Sequence, residues 1–186
     1  MRQWGFKGSG DGQFDGPVDI KADDAGIVHV TDTTNHRMQT FDESGEFLRQ
    51  WGSKGSRDGQ FLFPTGSAID TDGKLYVTDT GNHRVQVFDR TGRFLLKWGS
   101  NGPGDGQFSS PSGIAVDRIG NVYVVDSLNH PVQVFDRRNQ YLGKWGSQGT
   151  KDGQFNSPAG ITVDDDGNIY VADTDNHRVQ VFAFVK

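Results

Sequence analysis

The chain has 186 residues, a formal charge of −5, 26 glycines and no cysteine. That length fits one domain. The negative charge argues against a general phosphate-binding surface, which lysine and arginine would have to supply. The lack of cysteine excludes disulfides, a thiol nucleophile and thiolate metal ligation, and leaves the compartment undecided. No run approaches the ~18 apolar residues of a membrane span, and no signal peptide is expected ahead of Trp4.

Reading from the N-terminus, each landmark returns 47 positions later. The tryptophans are Trp4, Trp51, Trp98 and Trp145, and DGQF begins at Asp11, Asp58, Asp105 and Asp152. Prolines stand at 17, 64, 111 and 158. The stretch DTTNHRMQTF from Asp32 reappears as DTGNHRVQVF from Asp79, DSLNHPVQVF from Asp126 and DTDNHRVQVF from Asp173. Laid over each other, Trp98–Asp136 and Trp145–Ala183 share 25 of 39 residues. Such periodicity marks a repeat protein. Positions identical in every unit build the unit, and positions that differ between units are free to serve a ligand.

Within the third unit, the first β-rich run is Gly113 to Asp117. It ends in DRIGN, where Asp117 can bond backbone amides and Gly120 can take positive φ, the recipe for a short hairpin loop. Val122 to Val125 is the second run, and Asp126 and Asn129 frame a tight turn before the third, Val132 to Phe135. A second hairpin loop leads to Tyr141 through Trp145. Each unit is thus expected to be a four-stranded antiparallel meander, and glycine recurs too often for a helix. Val85 and Val87 point to one face and Phe88 to the other, so the sheet is apolar on both and needs cover on both. Radial packing as the blades of an all-β propeller provides it.

The phrase NHR followed by VQVF, with PxGIAVD, GNxYVxD, FLxKWG and GxxDGQF around it, resembles the NHL repeat over nearly the whole chain. Departures are Pro131 after His130, and Asp19 and Lys21 where the third unit has Gly113 and Ala115. The resemblance implies a β-propeller, commonly of six blades, used as a binding platform for proteins or RNA. Here four units span residues 1–186, with blades at 7–52, 53–99, 100–146 and 147–186 plus 1–6. Because the chain starts in the fourth strand of a unit and stops after a third, the N-terminal strand is expected to complete the last blade and hide its edge.

His36, His83, His130 and His177 occupy equivalent places in separate blades, whereas metal ligands must meet within about 2.0 Å of one ion. They are read as structural, bonding within their own turns, and no metal or other cofactor is expected. Asp32, Asp79, Asp126 and Asp173 are assigned to the turns that follow them, with Arg37, Arg84 and Arg178 as partners. The acidic loops at Asp70 and Asp164 lack full calcium-loop spacing and read as hairpins. Trp4, Trp51, Trp98 and Trp145 read as packing residues.

No asymmetric catalytic cluster emerges, so the expected function is a non-enzymatic binding scaffold with no catalytic residues. The alternatives are a metal-dependent lyase, resembling the peptidyl-hydroxyglycine lyase propeller of NHL type, and an RNA-binding NHL domain. The partner face is expected where the turns between second and third strands meet the links between blades. There the variable positions include Leu62, Phe63, Leu128 and Asp175, together with Lys7, Lys54, Arg57 and Lys151 on the links. A protein or peptide is the expected partner, RNA the alternative, and no membrane. Two chains sharing one eight-bladed ring, a homodimer, is the expected closure.

Overall fold

A computed structural model describes residues 3–183. The first sheet comprises β1 (Pro17–Ala22), β2 (Val28–Asp32), β3 (Arg37–Phe41) and β4 (Phe47–Trp51). The second comprises β5 (Pro64–Ile69), β6 (Leu75–Asp79), β7 (Arg84–Phe88) and β8 (Phe94–Trp98). The third is β9 (Pro111–Val116), β10 (Val122–Asp126), β11 (Val132–Phe135) and β12 (Tyr141–Trp145). The fourth is β13 (Pro158–Val163), β14 (Ile169–Asp173) and β15 (Arg178–Phe182). Every sheet is an antiparallel meander in chain order, and the four are the blades of a propeller.

The meander follows from local chemistry. Asp117 Oδ1 accepts hydrogen bonds from the amides of Ile119 and Asn121 at 3.0 and 2.8 Å. Gly120 takes φ of 91°, so β9 and β10 close a short hairpin. Asp70 and Asp164 organise the equivalent hairpins in the same way. Outer hairpins repeat the device through Asp42, Asp89 and Asp136.

Alternation along each strand then covers both faces. Val85 and Val87 pack with Ile114, Val122, Val124 and Phe135 of the third blade. Phe88 points the other way and packs with Met38 of the first. The second and third sheets are therefore sandwiched between their neighbours, and the core lies in the three seams between blades. Phe61, Phe108 and Phe155 of the DGQF tetrads sit fully buried in those seams. The tryptophans bridge them: Trp98 on β8 lies 5.4 Å from the Phe135 ring of the next blade, and Trp145 on β12 lies 5.4 Å from Phe182.

Among the described residues, the fourth sheet holds three strands. Gln3–Gly5 form no strand, and Arg2 lies outside the described residues. Trp4 instead rests on the first blade, 6.1 Å from Phe41.

Candidate functional site

The face expected to bind a partner is built around four buried aspartates at the ends of the second strands. Asp79 is inaccessible to solvent and ion-pairs with Arg84 Nε at 2.7 Å. It also accepts from Leu62 N at 2.7 Å, from Asn82 Nδ2 and from Gln86 Nε2. Asp32 and Asp173 repeat this arrangement with Arg37 and Arg178, taking the amides of Asp15 and Asn156. The sequence assigns these carboxylates to the turns that follow them. For Asp32, Asp79 and Asp173 the backbone amides they bond lie instead just ahead of the inner strand of the same blade, 17 residues earlier, while Asp126 also accepts from Asn129 N of its own turn at 3.4 Å. Asn and Arg complete the staple: Asn82 donates to Gly55 O, and Arg84 donates to the carbonyls of Ser56, Arg57 and Gln60. Turn and link are thereby locked side by side on one face.

Pro131 removes the guanidinium from the third blade. Asp126 is satisfied there by two amides, Ser109 N at 2.9 Å and Ser110 N at 2.8 Å, and by Asn129 Nδ2 at 2.7 Å.

Each histidine takes up the left-handed conformation at the end of its turn, with φ of 55° at His36, 56° at His83, 76° at His130 and 54° at His177. The expectation that the imidazoles bond within their own turns is corrected at two of them. His36 Nδ1 accepts from Phe63 N at 3.0 Å, and His83 Nδ1 pairs with Ser109 O at 2.7 Å, both in the following blade. Accepting at Nδ1 requires that His36 be unprotonated there. Burial, reinforced by the charge of Lys54, holds its pKa below the usual histidine range, which favours that state. His36 and His83 are therefore latches between blades, whereas His130 Nδ1 is buried without a partner. Among the described residues, no three His, Asp or Glu side chains gather as a metal-ligating set.

Lys7, Lys54, Arg57 and Lys151 are exposed on the links, and Asp175 and Leu128 are exposed on the turns. Leu62 is half-buried. Phe63 is 47% exposed, with its ring 4.6 Å from that of His36 in an edge arrangement. Its backbone is left-handed, φ of 50°, as at the equivalent Gly16 and Ser157 but not at Ser110. A bulky residue in that region is uncommon and is held by its surroundings. His36 contacts it through the amide and the ring, and Ser157 takes the same conformation where the equivalent histidine, His130, has no partner at Nδ1. The structure thus brings Leu62, Phe63, Lys54 and His36 together across the first seam, while Leu128 and Asp175 stand on other blades.

Sequence inspection missed a groove on the opposite face. It occupies about 530 Å³ between the inner hairpins of the third and fourth blades, lined by Asp117, Arg118, Ile119, Tyr123 and Asp164 to Gly167. Arg118 pairs with Asp165 across it at 2.6 Å, and Ile119 is 75% exposed. Such a groove needs two loops from different blades, so no single stretch of sequence announces it.

A family profile described as the NHL repeat matches residues 61–88, 108–135 and 155–182. No curated protein matches significantly. Among solved structures, a Bacteroides thetaiotaomicron protein of unknown function aligns with a TM-score of 0.71 at 21% identity, over 88% of this chain and 46% of its own. A streptogramin B lyase aligns at 0.67 and 15% identity, over 91% of this chain and 55% of its own. A chain in a nidogen/laminin complex aligns at 0.66 and 19% identity, over 91% of this chain and 60% of its own. This chain therefore spans about half the length of the structures it resembles, and at such identities the likeness is one of fold. Three matched repeats, a fourth unit built on the same aspartate, turn and strand pattern, and the blade architecture together identify the chain as an NHL-repeat β-propeller.

Proposed function

We propose that this protein is a non-enzymatic platform that binds a protein partner through the face where turns and links meet. The observation that carries the proposal is Phe63, an aromatic side chain half exposed on a left-handed backbone, with its amide bonded to His36 of the neighbouring blade. Large aromatics flanked by basic residues are common anchors of protein interfaces, and here Lys54 and Arg57 flank it on the preceding link. Leu62, half-buried beside it, extends Phe63 into a small apolar patch rimmed by polar residues, the form in which exposed apolar surface marks an interaction site. One structural neighbour is part of a nidogen/laminin complex, which agrees with a protein partner, while another is a streptogramin B lyase.

The test is crosslinking and affinity capture of the partner from native cell extract. Phe63→Asp combined with Lys54→Glu should weaken capture by about 30-fold or more, the loss of one anchor residue, while the thermal midpoint stays nearly unchanged. Full capture by that variant, with loss from Ile119→Asp on the opposite groove, would place the site on the other face. Stoichiometric zinc after dialysis together with lyase turnover would favour the enzyme reading instead. RNA affinity that falls steeply with salt would favour RNA.

A further inference from the structure

The seams between blades share one plan. Residues of the second and third strands of one blade cover the Phe and aliphatic side chains of the next. In the seam between the third and fourth blades, Tyr123, Val125, Val132 and Val134 cover Phe155, Ile161, Ile169 and Phe182. The two ends of the chain carry the two halves of this same seam without covering each other. Met38, Val85 and Val132, one position in successive repeats, are each 0% exposed, whereas its fourth occurrence, Val179, is 64% exposed. Val181, two residues on and the counterpart of the buried Val87, is 56% exposed. On the first blade, Ile20 is 55% exposed where Ser67 and Ile114 are 0% and 3%. A groove of about 400 Å³ runs beside Ile20, lined also by Trp4, Phe14, Val18 and Val30.

Polar contacts are left over in the same pattern. Thr33, Thr80 and Ser127 each donate to the carbonyl of the proline that opens the next blade, Pro64, Pro111 and Pro158. Thr174, next in that series, is exposed, as is Pro17, whose carbonyl is the matching acceptor. The outer strand is also displaced. Trp51, Trp98 and Trp145 end the fourth strands of their blades and pack on a Phe of the following one. Trp4 occupies the corresponding socket on Phe41, while the blade whose fourth strand it should end has three strands among the described residues.

We propose that the occupant of each end is the opposite end of a second copy of this chain, so that two chains close one eight-bladed ring through two head-to-tail seams. The argument is continuity with an interface the molecule already makes three times. The face at Val179 and Val181 fits the face at Phe14 and Ile20 because Val132 and Val134 fit Phe155 and Ile161. In the ring, Thr174 bonds the partner's Pro17 carbonyl, and residues 3–5 of each chain lie beside β15 of the other as its missing edge strand. The two seams then cover Ile20, Val179 and Val181 and pair the open edge of β15. This inference does not depend on the proposed partner face, which lies on the first seam within one chain.

Light scattering on the purified chain at micromolar concentration tests it. A mass twice the 20.5 kDa of one chain is expected, and a monomer or a larger assembly would overturn the two-chain ring. Ile20→Glu and Val181→Glu each place one unpaired charge in both seams, so either alone should weaken the dimer by about 100-fold or more. Mixing the two variants regenerates one unmodified seam per pair and should restore a dimer. That restoration also shows that both variants fold. If the mixture stays monomeric, or if only one of the two variants dissociates, the head-to-tail arrangement is wrong.

Discussion

A carboxylate that is inaccessible to solvent is stable only while its partners remain. Asp79 and Arg84 are both buried, so Asp79→Asn strands a guanidinium and should destabilise by about 3–5 kcal/mol. Asp126 has no guanidinium facing it, because Pro131 stands in that place, and Asp126→Asn should cost clearly less. Urea unfolding of the two variants checks the difference, and equal losses would mean that the ion pair adds nothing beyond the hydrogen bonds. The sequence makes these aspartates conspicuous and their arginine partners readable, but not the amides they bond. Leu62 and Asp79 are 17 residues apart, and only the pairing of β5 with β6 brings the start of one strand to the end of the other. Phe63 illustrates the same limit: its apolar character is plain in the sequence, but its latch on His36 requires that two blades meet.

Strand boundaries were legible almost to the residue, because hairpin aspartates and glycines punctuate every run. The seams were legible in composition only. Trp98 illustrates what they hold: it packs on Phe135 across the seam and on Tyr76 within its own blade. Trp98→Ala should therefore cost about 3 kcal/mol in thermal or urea unfolding, and a negligible cost would assign the ring to a ligand. A second element, the tyrosine in the second strand of blades two to four, with Tyr141 on β12, answers to alkali. Burial, then the charge of Asp117, pushes the Tyr123 hydroxyl up to about 12, and the Tyr76, Tyr141 and Tyr170 hydroxyls are raised as well. A folded-state pKa above the unfolded value of about 10 adds stability that is complete below pH 10 and is lost as pH rises through about 12. Ultraviolet titration should show little tyrosinate at pH 10 and a late rise that coincides with unfolding; a full normal titration at pH 10 would contradict the bonds to Asp117 and its equivalents. Blade one departs from the others at Asp19, which replaces the glycine of the inner strand. At Gly113 an added Cβ would stand 2.4 Å from Ala159 O, so inner strands crowd there. Asp19 turns the same crowding to use, accepting from Ser67 N at 2.7 Å and Ser67 Oγ at 3.0 Å across the first seam.

At the scale of the whole molecule, each blade touches only its neighbours in the arc, so stability is close to a sum of seams. Hydrogen exchange should be slowest in β6, β7, β10 and β11, which are covered on both sides, and faster in β1 and β15, whose outer faces carry the exposed Ile20, Val179 and Val181. Uniform protection along the chain in the absence of a second copy would contradict that picture. The number of blades around the axis was the part least readable in the sequence, because a 47-residue period specifies a unit and its contacts but not the small angle from one unit to the next. The seam that pairs Val132 with Ile161 has a direction and no built-in count. A gene of this kind can gain or lose whole units without redesigning a single contact, and the size of the finished ring is decided by geometry at the moment the last face finds the first.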